Sequence, residues 1–290
     1  MGKTRIFGGK IALYGSKSWE SLSLIDPDAE AFLLATGITD ITIINAINIL
    51  VVNLKSNNLW TKMRAVYPFV GGTSTTHKFN LKDPRDLDVA YRLTFSGGIV
   101  HSSTGVLPNG TNGWADTYLN SSVTNFPTPM YISLSYYSRT PGSHVTGGNV
   151  IGSFGGGFYG NTSTRMLIRY VGAPNATVFG ANYNDGILAN ARTLTDTDGS
   201  GFYIGTRSST ASTLFIRGLL AASNTDGNTG LNPPPFSIYL FAYNNTGGGP
   251  LNFSNKECAF SHISDGLTNS ECIVLTTIVN NFQITLGRNV

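Results

Sequence analysis

The sequence predicts a mainly β protein: an antiparallel sandwich or jelly roll with a short N-terminal helical segment and a C-terminal helix. Three observations predict it. Charged residues make up only 12% of the 290, about half the usual share, while glycine reaches 34 copies. Segments such as MYISLSYYSR, GFYIGTR and FSIYLFAYN are short, rich in β-branched and aromatic residues, and bounded by turn formers. Between such segments lie Asn109-Gly110, Asn112-Gly113, Asp185-Gly186, Asp198-Gly199 and Asp226-Gly227, pairs that supply the positive φ of tight hairpins.

Taken in order, residues 1–25 alternate Gly, Ser and apolar residues without caps and read as an extended arm. Residues 26–58 form a helical segment. In LIDPDAEAFLLATG, Asp26 is the N-cap, Pro27 takes the first helical position and Gly37 stops the helix. Thr39 can cap a second helix whose Ile43, Ile47, Leu50, Val51 and Leu54 share one face. From residue 59 the pattern changes to period two, and a sandwich domain is expected over 59–290. It ends in a helix over 267–287, opened by the capping box Thr268-Asn269-Ser270-Glu271 and carrying Leu275, Ile278, Val279, Phe282 and Leu286 at helical spacing.

Bulk properties exclude several classes. The net charge is +3 and no Lys/Arg run tracks a phosphate backbone, so nucleic acid is not an expected partner. The start, MGKTRIFGGKIALYG, shows neither an apolar h-region nor a cleavage site, and Ile6 breaks the myristoylation pattern. Ile41 to Leu54 is too short to span a bilayer. Cys258 and Cys272 read as buried free thiols, not as a disulfide framework.

Three stretches carry a family resemblance. They are LWTKMRAVYPFVGGTSTTHKFNLKDPRDLDVAYRLTFSGG, continued by HSSTGVLPNGTNGWADTYLN; GFYIGTR; and NKECAFSHISDGLTNSECIVLTTIVNNFQITLGR. Together they resemble virion-associated proteins of bacteriophages and prophages, many from Bacteroidetes hosts. The resemblance covers 28–70 in organisation and 59–119 and 255–288 in close wording, while 140–200 departs from it. It implies a concanavalin A-like (laminin G-like) jelly roll and a structural role at the virion surface, as fibre, spike or capsid decoration. The arm, which matches nothing in that family, is expected to contact other virion proteins; the low-charge β-surface suits packing of copies into a homotrimer, and host-surface glycan is the expected ligand of the outward sandwich. A capsule depolymerase on the same fold and a secreted bacterial lectin are the alternatives.

No catalytic residues are expected, and the chain is read as a non-enzyme. A retaining glycosidase needs two close carboxylates, yet the only glutamates are Glu20, Glu30, Glu257 and Glu271, and no Glu-x-Asp-x-Glu strand occurs. The densest charge lies in HKFNLKDPRDLDVAYR, residues 77–92. There Asp86 and Asp88 share a face if the segment is extended, but Lys82, Arg85 and Arg92 are near enough to pair with the acids, so an ion-pair knot is the better account. His77, His101, His144 and His262 lack metal-ligand spacing.

Sugar binding needs an aromatic ring beside amide and carboxylate groups on an exposed loop. Asn112, Trp114, Asp116 and Tyr118 in NGTNGWADTY offer one such set; Asn182, Tyr183 and Asp185 in FGANYND offer another. Two oxygen-rich loops are candidate Ca²⁺ ligands, Asp196 and Asp198 in TDTDGSG and Asn224 and Asp226 in NTDGN, although hairpin turns explain both equally well. No other cofactor is expected.

Overall fold

The structure, a computed structural model, describes residues 4–7, 10–13, 25–121, 125–126, 131–143, 149–154, 162–170, 176–184, 192–208, 211–224, 233 and 235–290. In chain order its elements begin with β1 (Thr4–Phe7), β2 (Lys10–Leu13), α1 (Pro27–Thr36), α2 (Ile41–Ser56), β3 (Met63–Tyr67) and α3 (Ser74–His77). Then come β4 (Thr94–Ser96), β5 (Ile99–Ser102), β6 (Gly105–Pro108), β7 (Trp114–Asn120), β8 (Ile132–Ser138), β9 (Asn149–Phe154) and β10 (Thr162–Tyr170). The rest are β11 (Ala176–Asn184), β12 (Arg192–Thr195), β13 (Gly201–Arg207), β14 (Ser212–Ile216), β15 (Leu219–Asn224), β16 (Ser237–Leu240), β17 (Tyr243–Asn245), β18 (Pro250–Leu251), β19 (Cys258–Asp265) and α4 (Asn269–Thr285).

The helices start and stop where local chemistry dictates. Asp26 accepts from the Asp28 N–H, Pro27 opens α1, and Gly37 closes it at φ 68° with its N–H on the Leu33 carbonyl. The Thr268–Glu271 capping box opens α4 in both directions. The cap of α2 differs from expectation: it is Asp40, not Thr39. The helix begins at Ile41, so the cap position falls on Asp40, whose Oδ1 accepts from Thr42 N at 2.8 Å and Ile43 N at 3.0 Å. Within the first 25 residues, expected to be simply extended, β1 and β2 pair as an antiparallel hairpin.

Two antiparallel sheets make the body. The inner sheet has the order β15-β14-β13-β8-β19-β6-β5, with β3 also paired to β19. The outer sheet runs β12-β11-β10-β9-β16-β7-β4, with β17 attached parallel to β9 and β18 paired to β17. Ile132, Leu134 and Tyr136 of β8 meet Ala115, Leu119, Ile151, Ile238 and Leu240 of the outer sheet in one apolar cluster. A second cluster joins Tyr137, Phe202, Phe215 and Phe260, on the opposite face of the inner sheet, to Phe32, Ile47, Leu50, Leu275, Val279 and Phe282 of the three long helices. Residues 26–58 therefore share a core with the sandwich, and the layers run helices, inner sheet, outer sheet.

Burial follows that order. β8, β13 and β14 are buried at every position because both their faces are covered. In contrast β7 alternates half-buried and buried residues from Trp114 to Asn120, so at this strand one face of the outer sheet is partly open to solvent, whereas β10 and β16 are buried at most positions. That face positions the site.

The turn dipeptides do less than the sequence suggested. Asp198-Gly199 joins β12 of one sheet to β13 of the other, so it is a crossover corner and not a hairpin. Asn109-Gly110 and Asn112-Gly113 likewise lie together in the β6–β7 crossover. A dipeptide fixes local φ, whereas burial chooses the strand partner. Asp185-Gly186 and Asp226-Gly227 lie outside the described residues.

The charged stretch 77–92 is an ion-pair knot. Lys78 Nζ meets Asp86 at 2.5 Å, Arg85 meets Asp83 at 2.5 Å, and Arg92 meets Asp88 at 2.8 Å and Asp86 at 3.5 Å. Two details depart from expectation. Asp88 opens a short 3-10 turn (Asp88–Ala90), so it does not sit with Asp86 on one extended face. Lys82 pairs with none of these acids; its amine donates to the Trp60 carbonyl at 3.0 Å and lies over the Trp60 ring at 4.5 Å. Both Asp86 and Asp88 are half exposed, so the double change Asp86→Asn/Asp88→Asn is expected to shift the urea-unfolding free energy by less than about 1 kcal/mol. A loss of several kcal/mol would show the knot to be structural.

Candidate functional site

Residues 114–118 were read as a loop; they form strand β7. Ala115, Thr117 and Leu119 point into the core, leaving Trp114, Asp116 and Tyr118 on the solvent face at i, i+2 and i+4. Strand geometry spreads those three over about 13 Å. β4 and β16 flank β7, so Thr94 and Tyr239 stand in register on either side of Asp116.

The strip is built tightly. The Trp114 and Tyr239 rings pack at 4.3 Å between centroids. The register slips between Ser237 and Tyr239, opposite Tyr118, which takes φ 56°. Such a bulge re-aims a side chain: the Tyr118 hydroxyl lies 2.9 Å from Thr94 Oγ1, and its N–H donates to Asp116 Oδ1 at 2.7 Å. Burial holds the Asp116 carboxyl above the usual carboxylate range, against the pull of hydrogen bonds from Tyr118 N–H and Ser237. Asp116 is therefore a half-buried acceptor between two aromatic rings.

Asn112 lies on the loop just before β7, and its amide oxygen accepts from Gly98 N at 2.9 Å and Asn109 Nδ2 at 2.8 Å. Asn109 Oδ1 in turn gathers the N–H groups of Thr111, Asn112 and Gly113. The β4–β5 turn crosses here so closely that a Cβ at Gly97, which has φ 72°, would collide with the Asn112 carbonyl. Asn112 thus holds the loop that launches Trp114.

The second candidate set is elsewhere. Asn182 and Tyr183 belong to β11, not to a loop, and Asp185 lies outside the described residues. β16, β9 and β10 separate β11 from β7, a displacement of about 19 Å at normal strand spacing. The two sets do not form one site.

At the β12–β13 corner, Asp196 is buried; its Oδ1 accepts from Arg217 Nη2 at 3.0 Å and its Oδ2 from the Tyr203 hydroxyl at 2.6 Å. Asp198 accepts from Ser200 N and Oγ at 3.0 and 2.9 Å. Asn224 ends β15 at the far edge of the inner sheet, and Asp226 lies outside the described residues. Among the described residues no group of three or more His, Cys, Asp or Glu is placed to hold a metal ion.

Sequence reasoning missed Tyr239, Ser237 and Thr94. Tyr239 had one signal: in FSIYLFAYN it alternates with the core residues Ile238 and Leu240.

Fold and site together define a helix-backed, two-sheet β-sandwich with an aromatic and carboxylate strip on its open sheet. Among solved structures it is similar to domain 4 of AbnA, a GH43 extracellular arabinanase from Geobacillus stearothermophilus, in complex with arabinotriose. That likeness has 15% identity, covers 74% of this chain and 98% of that one, and has a TM-score of 0.45. The Ruminococcus gnavus IT-sialidase CBM40 bound to α2,6 sialyllactose is 15% identical over 50% of this chain and 82% of its own, with a TM-score of 0.33. A structure of botulinum neurotoxin type C, whose cell entry is described as dependent upon two ganglioside molecules, is 13% identical over 77% of this chain and 53% of its own, with a TM-score of 0.48. No protein-family model and no curated protein matches the chain.

Proposed function

We propose that this protein binds glycans without cleaving them, through the Trp114–Asp116–Tyr118 strip of the outer sheet. The observation that carries the reading is the in-register row Thr94, Asp116, Tyr239, with Trp114 packed on the largely buried Tyr239. A partly exposed indole offers the apolar face on which a sugar ring stacks, and the flanking carboxylate and hydroxyls accept and donate to its hydroxyl groups. The helices cover the central strands of the opposite sheet, β8, β13 and β14, which are buried throughout. Asp116 accepts hydrogen bonds from within the strip, and Asp83, Asp86 and Asp88 each have a cationic partner. These settings suit carboxylates that hold a ligand or a loop. The resemblance of 59–119 and 255–288 to phage virion proteins supports placing the strip on a particle surface, facing a bacterial host.

The test is a glycan array of bacterial surface polysaccharides, followed by titration of any positive. Single-site affinity near 1 mM, about −4 kcal/mol, is expected. Trp114→Ala should weaken it at least tenfold, about 1.4 kcal/mol, with an unchanged far-UV circular dichroism spectrum. Binding that survives Trp114→Ala, or new reducing ends released from the bound polysaccharide, would overturn the proposal.

A further inference from the structure

The helical layer presents a surface unlike that of an ordinary exposed helix. Amphipathic helices put charge on their solvent side. Yet α2, 16 residues long, carries one charged side chain, Lys55, and α4, 17 residues long, also carries one, Glu271. Both are spent inside the molecule. The Lys55 amine lies 2.6 Å from both Asp26 and Asp28, and Glu271 lies 2.6 Å from Lys62. The outward positions are instead uncharged, polar Thr42, Asn45, Thr277 and Asn281 alternating with apolar residues: Leu34 is 61% exposed, Ile41 46%, Ile49 52%, Val52 44%, Ile273 51% and Ile284 58%.

These residues form one face. In α2 the exposed Ile41, Asn45, Ile49 and Val52 recur at i, i+4, i+8 and i+11; in α4 the exposed Ile273, Thr277, Asn281 and Ile284 do the same. The helices run antiparallel, since Lys62, just past α2, pairs with Glu271 at the start of α4, and Ile43 lines a cleft with Leu286 beyond its end. Two neutral, isoleucine-bearing stripes therefore lie side by side.

We propose that this face is the contact between two copies of the chain, related by a twofold axis that packs α2 and α4 of one copy on those of the other. Charge selects the partner. An isologous contact sets a patch against itself, so a patch without charge meets neither repulsion nor an unpaired ion. An average protein surface, about a quarter charged residues, would bring ions that this face has nothing to pair with. The exposed amides of Asn45 and Asn281 both donate and accept, so they too are self-complementary. Area agrees: α2 and α4 are about 24 Å long at 1.5 Å per residue and about 9 Å apart. With Leu34 of α1 beside them, the acids Asp28 and Glu30 of that helix lying in its first turn, they offer about 600 Å² per copy, and two such faces reach the lower bound, about 1,200 Å² in total, of a stable specific interface.

The contact is independent of glycan binding but would serve it. The helices lie on the far side of the inner sheet from the outer sheet. A helix-to-helix dimer would thus present two Trp114 strips on opposite faces, placed to cross-link two polysaccharide chains and not to grip one flat surface together.

Sedimentation equilibrium of the full chain up to about 100 µM is the test. Twice the single-chain mass is expected for the wild type, and single-chain mass for Ile49→Lys/Ile273→Lys. Both positions are half exposed in one copy, so the variant should keep its circular dichroism spectrum. Leu219→Lys, at a residue 75% exposed on the inner sheet, should leave the dimer intact. A wild type that stays at single-chain mass up to that concentration would overturn the proposal, as would any assembly, dimer or trimer, that persists in the double lysine variant.

Discussion

Replacing Arg288 with Met is expected to cost about 3 kcal/mol of unfolding free energy, and replacing it with Lys about 2 kcal/mol. Arg288 is 2% exposed and has no carboxylate partner among the described residues. Its fork is spent on neutral oxygens. Nε donates to Gln283 Oε1 at 2.6 Å, Nη1 to the Phe69 carbonyl at 2.7 Å, and Nη2 to the carbonyls of Pro68 and Ala259 at 2.7 and 2.9 Å. One side chain therefore ties the chain just past α4 to β19 and to the segment after β3. Burial, with the nearby charge of Arg139 adding to it, pushes its pKa down to about 9, so the cation persists at neutral pH. Methionine would fill much of the space but leave four acceptors without their donor, at about 1–3 kcal/mol each in a dry site. Relief of the buried charge and entry of water from the adjoining cleft, which Arg288 lines, offset part of that. Lysine restores the charge but not the planar fork. Urea unfolding of the two variants checks the order; values within 0.5 kcal/mol of wild type would mean the fork is not structural.

Arg288 also shows where sequence reading stops. After Gly287, a local reading sees a helix stop and a polar tail, and nothing nearby marks Arg288 as buried. The Ala259 and Pro68 carbonyls that it serves are 29 and 220 residues away. The helix ends were legible because their signals are local: Asp26, Pro27 and Gly37 for α1, Thr268 and Glu271 for α4. Strand β8 reads as half-solvated, since Ser133 and Ser135 alternate with Leu134 and Tyr136. Both serines are fully buried, because the helices close over that face, and no alternation pattern reports what covers it. In β7 the inward residues Ala115 and Thr117 are too small or polar to signal a core face, so Asn and Gly in front of them suggested a loop. Trp114 and Asp116 were visible as chemistry, but Tyr239, which completes their strip, reaches β7 only through long-range strand pairing.

Acid should unfold this protein well before its carboxylates titrate, with about 4 kcal/mol lost between pH 7 and pH 5. Two deeply buried histidines carry most of the effect, and His101, whose pKa burial also lowers, adds to it. His77 is buried; its Nε2 accepts from the Gly72 N–H at 3.2 Å, so its proton sits on Nδ1, which donates to His101 Nδ1 at 3.0 Å. Phe69 and Arg288 close the other sides, and neither can accept a proton. His262 is fully buried between inner sheet and helices, with Ser135 Oγ 2.5 Å from Nδ1 and no partner for Nε2 among the described residues. Burial pushes both pKa values down to about 3, and at His77 the facing His101 and Arg288 add to it. The unfolded chain, at an ordinary value near 6.5, therefore binds two more protons than the folded one throughout the interval between. The contribution is complete above pH 6.5 and declines toward pH 3, at up to about 2.7 kcal/mol per pH unit. Asp83 and Glu271, whose carboxyls hydrogen bonds and ion pairs hold below their usual range, add to the loss only at lower pH; the raised Asp116 works the other way. The interval from pH 6.5 to 4.5 thus isolates the histidines. Urea unfolding across it should give a slope of about two protons or somewhat more in the wild type and about one proton less in His262→Gln, whatever that variant costs at pH 7. A flat wild-type profile would mean that both rings take up protons within the folded state.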